Sequence, residues 1–301
     1  MSGKRMVIFG CGYVGRELAA AAAEAGFGVW IHSRNRESLA AVDCVPEERK
    51  VVGNLHETGW HGGLAGEWDV AVNLVSSAGG GLDGYRLSYI NGNRSIREWA
   101  GRESVGRLIY TSATSVYPQS TGEWVSEKDV PETGSLSPSG QLLRQAELET
   151  LDSDVFDSVV VARLAGIYGP GRHLYLDSLR GGLRELPGDG TAWLNLVYLK
   201  DIVGVLLRMA EADLPSLRNV FNVVDDHPER KQAIVDWLSR RLGQATIPFN
   251  PDLQGPRASK RTSSVGLPNR RVSNQRLKED LDWQPSFPSY REGYEDILGS
   301  A

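Results

Sequence analysis

The sequence has few cysteines, no long apolar run and no excess of basic charge, and each absence excludes a class of protein. Cys11 and Cys44 are the only cysteines among 301 residues. They are too few for a disulfide framework, so we expect a reducing, cytoplasmic compartment. The longest apolar run, residues 18–23, is too short for a membrane span, and we expect no secretory signal at the N-terminus. The formal net charge of -5 disfavours nucleic acids and anionic membranes as partners, because both require a basic surface.

Apolar stretches and helix-like stretches alternate through the first two-thirds of the chain. The apolar stretches predict strands at 5–10, 28–33, 50–55, 69–77, 107–113 and 158–169. The sequence between them predicts helices at 13–25, near 85–100 and at 140–150. Later stretches predict a strand and a helix over 195–212, a strand at 219–226 and a helix near 229–242. Continuous apolar strands separated by helices indicate a parallel, doubly wound α/β sheet.

The expected architecture is a Rossmann domain with a smaller, discontinuous C-terminal part. We expect the dinucleotide-binding Rossmann domain over 1–168, with its sheet completed by about 191–224. Residues 169–190 and 225–301 are expected to form the substrate-binding part and to cover the ligand edge of the sheet. In open parallel sheets that edge is the carboxyl end of the strands.

A glycine motif of the form G-x-G-x-x-G follows the first predicted strand and opens the first predicted helix. Gly10 permits a tight turn, Gly12 lets the backbone approach a pyrophosphate, and Gly15 lets the helix pack closely. The helix N-terminus offers free amide donors to phosphates. The motif alone is weak evidence, but its position between a strand and a helix favours a dinucleotide site over an empty glycine turn.

The end of the second strand bears on the choice of cofactor. NAD enzymes carry an acidic residue here for the ribose 2′-hydroxyl, but this chain has Ser33 followed by Arg34 and Arg36. A hydroxyl and a guanidinium suit a 2′-phosphate, which a carboxylate would repel. We therefore predict NADP, with NAD as the alternative if the arginines are only solvated loop charges.

Several strings resemble the extended short-chain dehydrogenase/reductases, the NAD(P)-dependent epimerase/dehydratase family. They are the glycine motif, VVGNL (51–55), SYINGNRS (88–95) with Asn91, YTSATSVYP (110–118), RLAGIYGPGR (163–172), NLVYLKDIV (195–203) and the C-terminal segment 271–293. The resemblance covers nearly the whole chain. It implies a Rossmann domain with a small substrate domain, usually for nucleotide sugars. The predicted cofactor contacts, from the motifs and from the end of the second strand, are Gly10, Gly12, Tyr13, Val14, Gly15, Ser33, Arg34, Asn54, Leu55 and Val75. Asn54 stands where the family usually has Asp.

The catalytic positions of the family are where this sequence departs from the pattern. The family uses a Tyr and a Lys spaced Y-x-x-x-K, with a Ser or Thr upstream. Those positions fall on Ser139, Leu143 and Ala113. A serine hydroxyl without an activating base is a poor acid at neutral pH, and leucine carries no charge. The resemblance therefore supports cofactor binding more strongly than it supports the standard reaction.

Four residues are candidates for the missing chemistry. Tyr117 follows the fifth predicted strand, and Ser112 lies beside the lost Ser/Thr position. Arg144 is the only cation next to the lost Lys, and Ser139 takes the place of the Tyr. We expect Tyr117 to be the proton donor and Arg144 an anion-binding group, against the alternative that the tyrosine serves local packing. Tyr168, Arg172 and His173 are weaker candidates of the same kind, and Arg163 is expected to make a structural hydrogen bond.

A basic segment departs from the acidic balance of the chain. Residues 255–278 contain seven Lys or Arg and no acid: Arg257, Lys260, Arg261, Arg270, Arg271, Arg276 and Lys278. The segment is interpreted either as a site for an anionic substrate group or as a solvated loop. The scattered histidines and the two distant cysteines show no metal-ligand spacing.

Two functions remain open on the sequence. The first is an NADP-binding epimerase/dehydratase-like oxidoreductase that acts on a nucleotide sugar or another carbonyl or hydroxyl substrate without the usual Tyr–Lys pair. The second is a non-catalytic NADP-binding sensor or partner-binding protein. The expected partner is a small, anionic molecule, with a homodimer as a further option.

Overall fold

Seven parallel strands form the centre of the fold. The computed structural model describes residues 3–77, 81–129, 135–253 and 269–299. The central sheet contains β1 (Arg5–Phe9), β2 (Gly28–Ser33), β3 (Lys50–Val52), β4 (Glu67–Asn73), β5 (Ser104–Ala113), β6 (Ser158–Leu164) and β7 (Arg218–Val223). The strand order is β7-β6-β5-β4-β1-β2-β3, and every neighbouring pair is parallel. The doubly wound α/β fold predicted from the sequence is confirmed.

The strands are apolar because helices cover both faces of the sheet. All seven residues of β6 are buried, as are the last four of β1. Such continuous burial is typical of parallel sheets with helical layers on each side. The chain leaves β1 toward β2 on one side and returns to β4 on the other, so β1 and β4 are neighbours where the winding direction changes. The crevice at such a switch point is the usual ligand site of this fold.

The helices begin and end at sequence signals that are visible in the chain. They are α1 (Tyr13–Glu24), α2 (Arg36–Ala40), α3 (Gly81–Tyr85), α4 (Gly92–Ala100), α5 (Pro138–Leu151), α6 (Leu174–Arg180), α7 (Leu199–Glu211), α8 (Lys231–Arg241), α9 (Gln275–Leu281) and α10 (Tyr290–Gly299). Asn35 caps α2 by accepting hydrogen bonds from the amides of Glu37 and Ser38. Ser137 caps α5, whose first residue is Pro138. Both caps satisfy amide groups that have no partner within the helix.

The part of the chain after β6 builds a second core beside the sheet. A short strand, Gly166–Tyr168, leaves the central sheet and pairs with Leu196–Tyr198. Buried side chains from this pair, from α6, α8 and α10 and from the short strand Leu186–Pro187 form one cluster: Tyr168, Tyr175, Leu176, Leu179, Leu186, Tyr198, Ile234, Val235, Leu238, Tyr290, Tyr294 and Ile297. This cluster is separate from the clusters that flank the central sheet. The division into cofactor and substrate parts stays a prediction.

Four of the predicted elements whose bounds differ from the structure show the clearest differences. The stretch 158–169 is two strands, because Leu164 is the last residue that pairs with β7. The stretch 50–55 is a strand only at Lys50–Val52, and 69–77 ends as a strand at Asn73. The helix predicted near 85–100 contains a π-helical turn at Arg86–Asn91. In the described ranges, every helix falls short of the length and apolar character that crossing a membrane requires.

Candidate functional site

The glycine turn after β1 is shaped by two glycines that backbone atoms hold in place. Gly10 has a φ of +99°, and a Cβ there would lie 2.9 Å from the Val75 nitrogen. The Gly10 amide donates to the carbonyl oxygen of His32 at 2.9 Å. A Cβ on Gly15 would lie 2.1 Å from the Gly10 carbonyl oxygen. Neither position accepts a side chain without movement of the backbone.

The middle glycine differs from the other two. Gly12 precedes the first residue of α1, and a Cβ added to it would meet no atom within 4 Å. Its φ of -95° is one that any residue adopts. The protein therefore does not require glycine here for its own packing. The open space lies at the N-terminus of a twelve-residue helix, where amide groups and the helix dipole favour an anion.

Tyr13 connects the glycine turn to the turn after β6. Its hydroxyl donates to the carbonyl oxygen of Pro170 at 3.0 Å, and the Arg172 guanidinium lies 5.5 Å from its ring centroid. A Cβ on Gly169 would lie 2.5 Å from the Tyr13 hydroxyl. The structure thus brings together two motifs that are more than 150 residues apart in the chain. Val14, the next residue, is buried in the main core.

The end of β2 presents the groups predicted to bind a 2′-phosphate. The Ser33 hydroxyl accepts a hydrogen bond from the Asn35 amide at 3.2 Å. Arg34 and Arg36 are exposed. Among the described residues, no carboxylate lies within 4 Å of either guanidinium, so both are available to an anionic ligand. No acidic side chain takes the place that NAD enzymes use for the ribose hydroxyl.

The remaining predicted cofactor residues lie at the neighbouring strand ends. The Asn54 side chain donates to Glu57 Oε1 at 2.9 Å. Leu55 is buried beneath Gly92, where an added Cβ would lie 2.9 Å from Leu55 Cδ2. The Val75 amide donates to the Asn73 side chain at 3.1 Å, which fixes the start of the loop after β4. These residues flank the ligand edge, as the sequence predicted, and their contacts with a cofactor stay predictions.

The predicted Tyr and Lys positions both lie on α5. The Ser139 hydroxyl is 3.3 Å from the Ser137 hydroxyl, near the start of the helix. Leu143 is buried in the main core, one turn further along. The helix start packs on the turn that follows β5, because a Cβ on Gly140 would lie 3.5 Å from the Ser115 carbonyl oxygen. Ser112, at the end of β5, is buried, and its hydroxyl has no hydrogen-bond partner among the described residues.

Tyr117 lies in a buried network and not at an open ligand edge. Only 1% of Tyr117 is exposed. Its hydroxyl donates to Asn222 Oδ1 at 2.8 Å and accepts from Arg163 Nη1 at 2.7 Å. Arg163 in turn donates twice to Glu147, at 2.8 and 3.0 Å. This placement argues against the predicted role of Tyr117 as proton donor, because its proton is already engaged and its ring is enclosed.

Arg144, the second candidate, is held by the same network. Its Nη1 atom lies 3.0 Å from Glu147 Oε2, and its side chain is 12% exposed. Glu147 itself is fully buried and binds Arg163 as well. An anionic ligand would have to compete with this carboxylate, so the geometry does not favour Arg144 as an anion site. Glu147 was not among the candidates predicted from the sequence. The pattern of residues in a helix does not indicate which of them is the buried partner of an arginine on a strand.

Burial and charge act in opposite directions on this network. Burial raises the pKa of Tyr117, although the guanidinium of Arg163 opposes that shift. Burial lowers the pKa of Arg163, but the hydrogen bonds and charge of Glu147 outweigh it and leave the pKa above its ordinary value. Tyr117 therefore stays a neutral phenol and Arg163 a cation at physiological pH. The expectation that Arg163 makes a structural hydrogen bond agrees with these contacts.

The described end of the basic segment is occupied largely with structural contacts. Arg270 is buried and donates to the Thr114 carbonyl oxygen at 2.7 Å, beside the end of β5. Arg271 donates to the Gly122 carbonyl oxygen, Arg276 pairs with Asp280, and Lys278 pairs with Asp226. Arg257, Lys260 and Arg261 lie outside the described residues. Arg270 is thus the cation that this segment brings nearest to the end of β5.

The weaker candidates make local contacts. The Tyr168 hydroxyl lies 3.3 Å from the Ser289 carbonyl oxygen and is buried. His173 Nδ1 lies 2.8 Å from Asp177 Oδ1 across one turn of α6. Cys11 is buried in the glycine turn, and burial raises the pKa of its thiol to about 11. Over residues 3–77, 81–129, 135–253 and 269–299, no group of three or more His, Cys, Asp and Glu side chains could hold a metal ion.

The geometry and the sequence motifs agree with one family. Residues 6–223 match the sequence profile of the NAD dependent epimerase/dehydratase family. The chain belongs to this family. The resemblance inferred from the motifs is therefore confirmed. The glycine turn, the end of β5 and the Gly169–Gly171 turn all lie within the matched residues.

Sequence relatives align with only part of this chain. Protein YeeZ of Escherichia coli (strain K12) is 29% identical over 166 residues, which is 55% of this chain and 57% of that protein. A 3-diazoavenalumate denitrifying reductase of Streptomyces sp is 28% identical over 154 residues, 49% of this chain and 50% of the reductase. Each alignment spans about half the length of the relative.

Solved structures share the fold over the whole chain. MoeE5 in complex with UDP-glucose and NAD has a TM-score of 0.80 with 20% sequence identity. The alignment covers 99% of this chain and 98% of MoeE5. At this identity the likeness shows the common fold.

Proposed function

We propose that this chain is an NADP-binding oxidoreductase of the epimerase/dehydratase type that works without the Tyr–Lys pair on α5. The observation that carries the proposal is the contrast within the glycine turn. Backbone atoms close off Gly10 and Gly15, but the space at Gly12 is open at a helix N-terminus. A turn that needed glycine only for its own packing would not need it at Gly12. A pyrophosphate that approaches the amides there explains why Gly12 carries no side chain.

The residues at the strand ends fit a dinucleotide. Gly12 and the first turn of α1 would hold the pyrophosphate, and Ser33 with Arg34 would hold the 2′-phosphate. Asn54 and Leu55 follow β3 and Val75 follows β4, at the edge of the sheet where the rest of the cofactor would lie. A bound nicotinamide supplies or accepts a hydride, and the chain then has to orient the substrate and exclude water. The NAD named in the MoeE5 complex supports this proposal for a nicotinamide cofactor.

Calorimetric titration of wild type with NADPH and NADH tests the cofactor proposal. Wild type is expected to bind NADPH more tightly than NADH. Arg34→Ala removes a charge-assisted contact worth ~1.5–3 kcal/mol, so its NADPH affinity should fall about 10- to 150-fold while its NADH affinity stays unchanged. Arg240→Ala, which removes the same charge from an exposed position on α8, is the control and should bind as wild type does. Equal wild-type affinity for the two cofactors would contradict the NADP assignment.

The proposed substrate is a small carbonyl or hydroxyl compound with an anionic group, with nucleotide sugars as one class. Arg270 is buried beside the end of β5, where such an anionic group would lie close to it. The relatives support two different classes, since MoeE5 is in complex with UDP-glucose and the reductase is named for 3-diazoavenalumate. Oxidation of NADPH in the presence of carbonyl acceptors and of UDP-sugars would separate them.

A second function is favoured because the predicted catalytic groups already bind other side chains of the protein. Tyr117 and Arg144 are both bound to partners within the protein, and Ser139 lacks a described base. A non-catalytic NADP-binding sensor or partner-binding protein would have this character. Cofactor binding without turnover of any substrate in the same panel, together with cofactor-dependent capture of a partner, would favour it.

A further inference from the structure

The loop after β4 lies at the switch point of the sheet, and one phenol from outside α5 reaches it. The Tyr89 hydroxyl accepts a hydrogen bond from the Ser77 amide at 3.1 Å. Ser77 follows Val75 by two residues, on the loop that leaves β4 beside β1. Tyr89 as a whole is partly exposed, whereas Tyr117 is almost fully buried.

An unusual turn of helix brings the Tyr89 ring to this place. Residues Arg86–Asn91 form a π-helical turn between α3 and α4. Such turns are rare and occur frequently at functional sites, because they change which side chains face the neighbouring element. The ring packs against a buried cluster made by the helix, β5, β6 and α5: Ile90, Tyr110, Leu142, Ala146 and Val161. Tyr89 therefore stands between the loop after β4 and α5, the helix on which Ser139 and Leu143 replace the family's Tyr and Lys.

We propose that Tyr89 is the catalytic phenol of this protein, which enters the active site from the π-helical turn in place of the Tyr missing from α5. The inference rests on the proposed function. A bound NADPH would supply the hydride for the carbonyl carbon in the reducing direction. The Tyr89 phenol then gives its proton to the carbonyl oxygen, which leaves an alcohol and a phenolate. Water then returns the proton to the phenolate.

The contacts of the hydroxyl suit this role. The Ser77 amide uses a lone pair of the phenol oxygen and not its proton. An amide donor aimed at that oxygen also stabilises the phenolate that forms when the proton leaves. Burial raises the pKa of Tyr89, so the group is protonated and able to donate at neutral pH. The ionisable groups that contact or influence it are Tyr85 of α3 and Tyr110 of β5.

Tyr89→Phe tests the proposal against a matched control, Tyr85→Phe. The two ring centroids are 5.3 Å apart, and the residues are one turn apart on neighbouring helical segments. Each variant therefore removes one phenol hydroxyl from the same region of the protein. NADPH affinity, measured by calorimetry, should be unchanged in both variants. Turnover of NADPH with phenanthrenequinone, a general carbonyl probe, should fall about a hundredfold or more in kcat for Tyr89→Phe only.

A second readout does not depend on turnover. Phenolate absorbance in the ultraviolet, followed against pH, should show one tyrosine that ionises at lower pH with NADP⁺ than with NADPH, because the oxidised nicotinamide is positive. This difference should disappear in Tyr89→Phe and persist in Tyr85→Phe. Wild type that binds no cofactor would overturn the proposed function together with this inference. Normal cofactor binding with the difference intact in Tyr89→Phe would overturn the role of Tyr89 alone.

Discussion

Replacing Gly12 and Gly15 separately distinguishes a ligand requirement from a packing requirement within one turn. A Cβ on Gly15 would lie 2.1 Å from the Gly10 carbonyl oxygen, where ordinary contact begins at 3.4 Å. The Gly10 oxygen belongs to the backbone and a Cβ is fixed directly to the helix backbone, so relief requires the strand end and the helix to move apart. Overpacking of this kind costs about 1–3 kcal/mol and occasionally more. We expect Gly15→Ala at the upper end of that range.

Gly12→Val should behave in the opposite way. No atom lies within 4 Å of its Cβ, and its φ of -95° is compatible with a β-branched residue. The free energy of unfolding should therefore change by less than about 1 kcal/mol. The side chain would project into the space proposed for the pyrophosphate, so NADPH binding should be lost.

Urea denaturation followed by circular dichroism measures the first effect, and calorimetric titration with NADPH measures the second. The expected pattern is a stable Gly12→Val that does not bind and a destabilised Gly15→Ala. Normal NADPH affinity in Gly12→Val would refute the ligand requirement. An unfolding midpoint of Gly15→Ala equal to that of wild type would refute the packing argument.

Three further predictions concern the buried charges and the degenerate centre. Arg163→Leu should lower the free energy of unfolding by about 3–5 kcal/mol, because it removes the bidentate partner of buried Glu147 and leaves that carboxylate with Arg144 alone. Arg94→Ala, from a half-exposed pair, should cost under about 1 kcal/mol in the same urea assay. Burial lowers the pKa of His32 to about 4 from 6.5. Between pH 6.5 and 4 the unfolded chain therefore binds a proton at this histidine and the folded chain does not. The free energy of unfolding should fall across this pH range by up to about 3 kcal/mol. His32→Phe should lose this contribution when urea denaturation is compared at the two pH values. Ser139→Ala should keep any turnover within about tenfold of wild type, and complete loss of turnover with intact cofactor binding would identify the serine as the working group.

The central sheet could be read from the sequence because its signals are local. A short apolar run followed by Gly10, Gly12 and Gly15 predicts a strand, a turn and a helix, and the structure has β1 and α1 at those residues. The switch in sheet direction follows from the alternation of strands and helices. Strand ends were less certain, since the bounds of a strand depend on its neighbour. The run 158–169 looks continuous, but β7 ends opposite Leu164 and the chain turns to pair elsewhere.

The candidate catalytic groups were harder to predict, because their role depends on partners far along the chain. Tyr117 stands at a strand end in sequence, yet Arg163 and Asn222, 46 and 105 residues away, enclose its hydroxyl. Glu147 of α5 pairs with Arg163 of β6, and nothing in the sequence indicates that these two residues are partners. Tyr89 was missed because a π-helical turn leaves the same helix-like pattern as an ordinary one.

A crystal structure of the chain grown with NADPH tests the central claim most directly. The account predicts density for the pyrophosphate at the Gly12 amide, the 2′-phosphate between Ser33 and Arg34, and the nicotinamide beside the Tyr89 hydroxyl. A cofactor bound elsewhere, or a nicotinamide that faces away from Tyr89 toward another ionisable side chain, would contradict it.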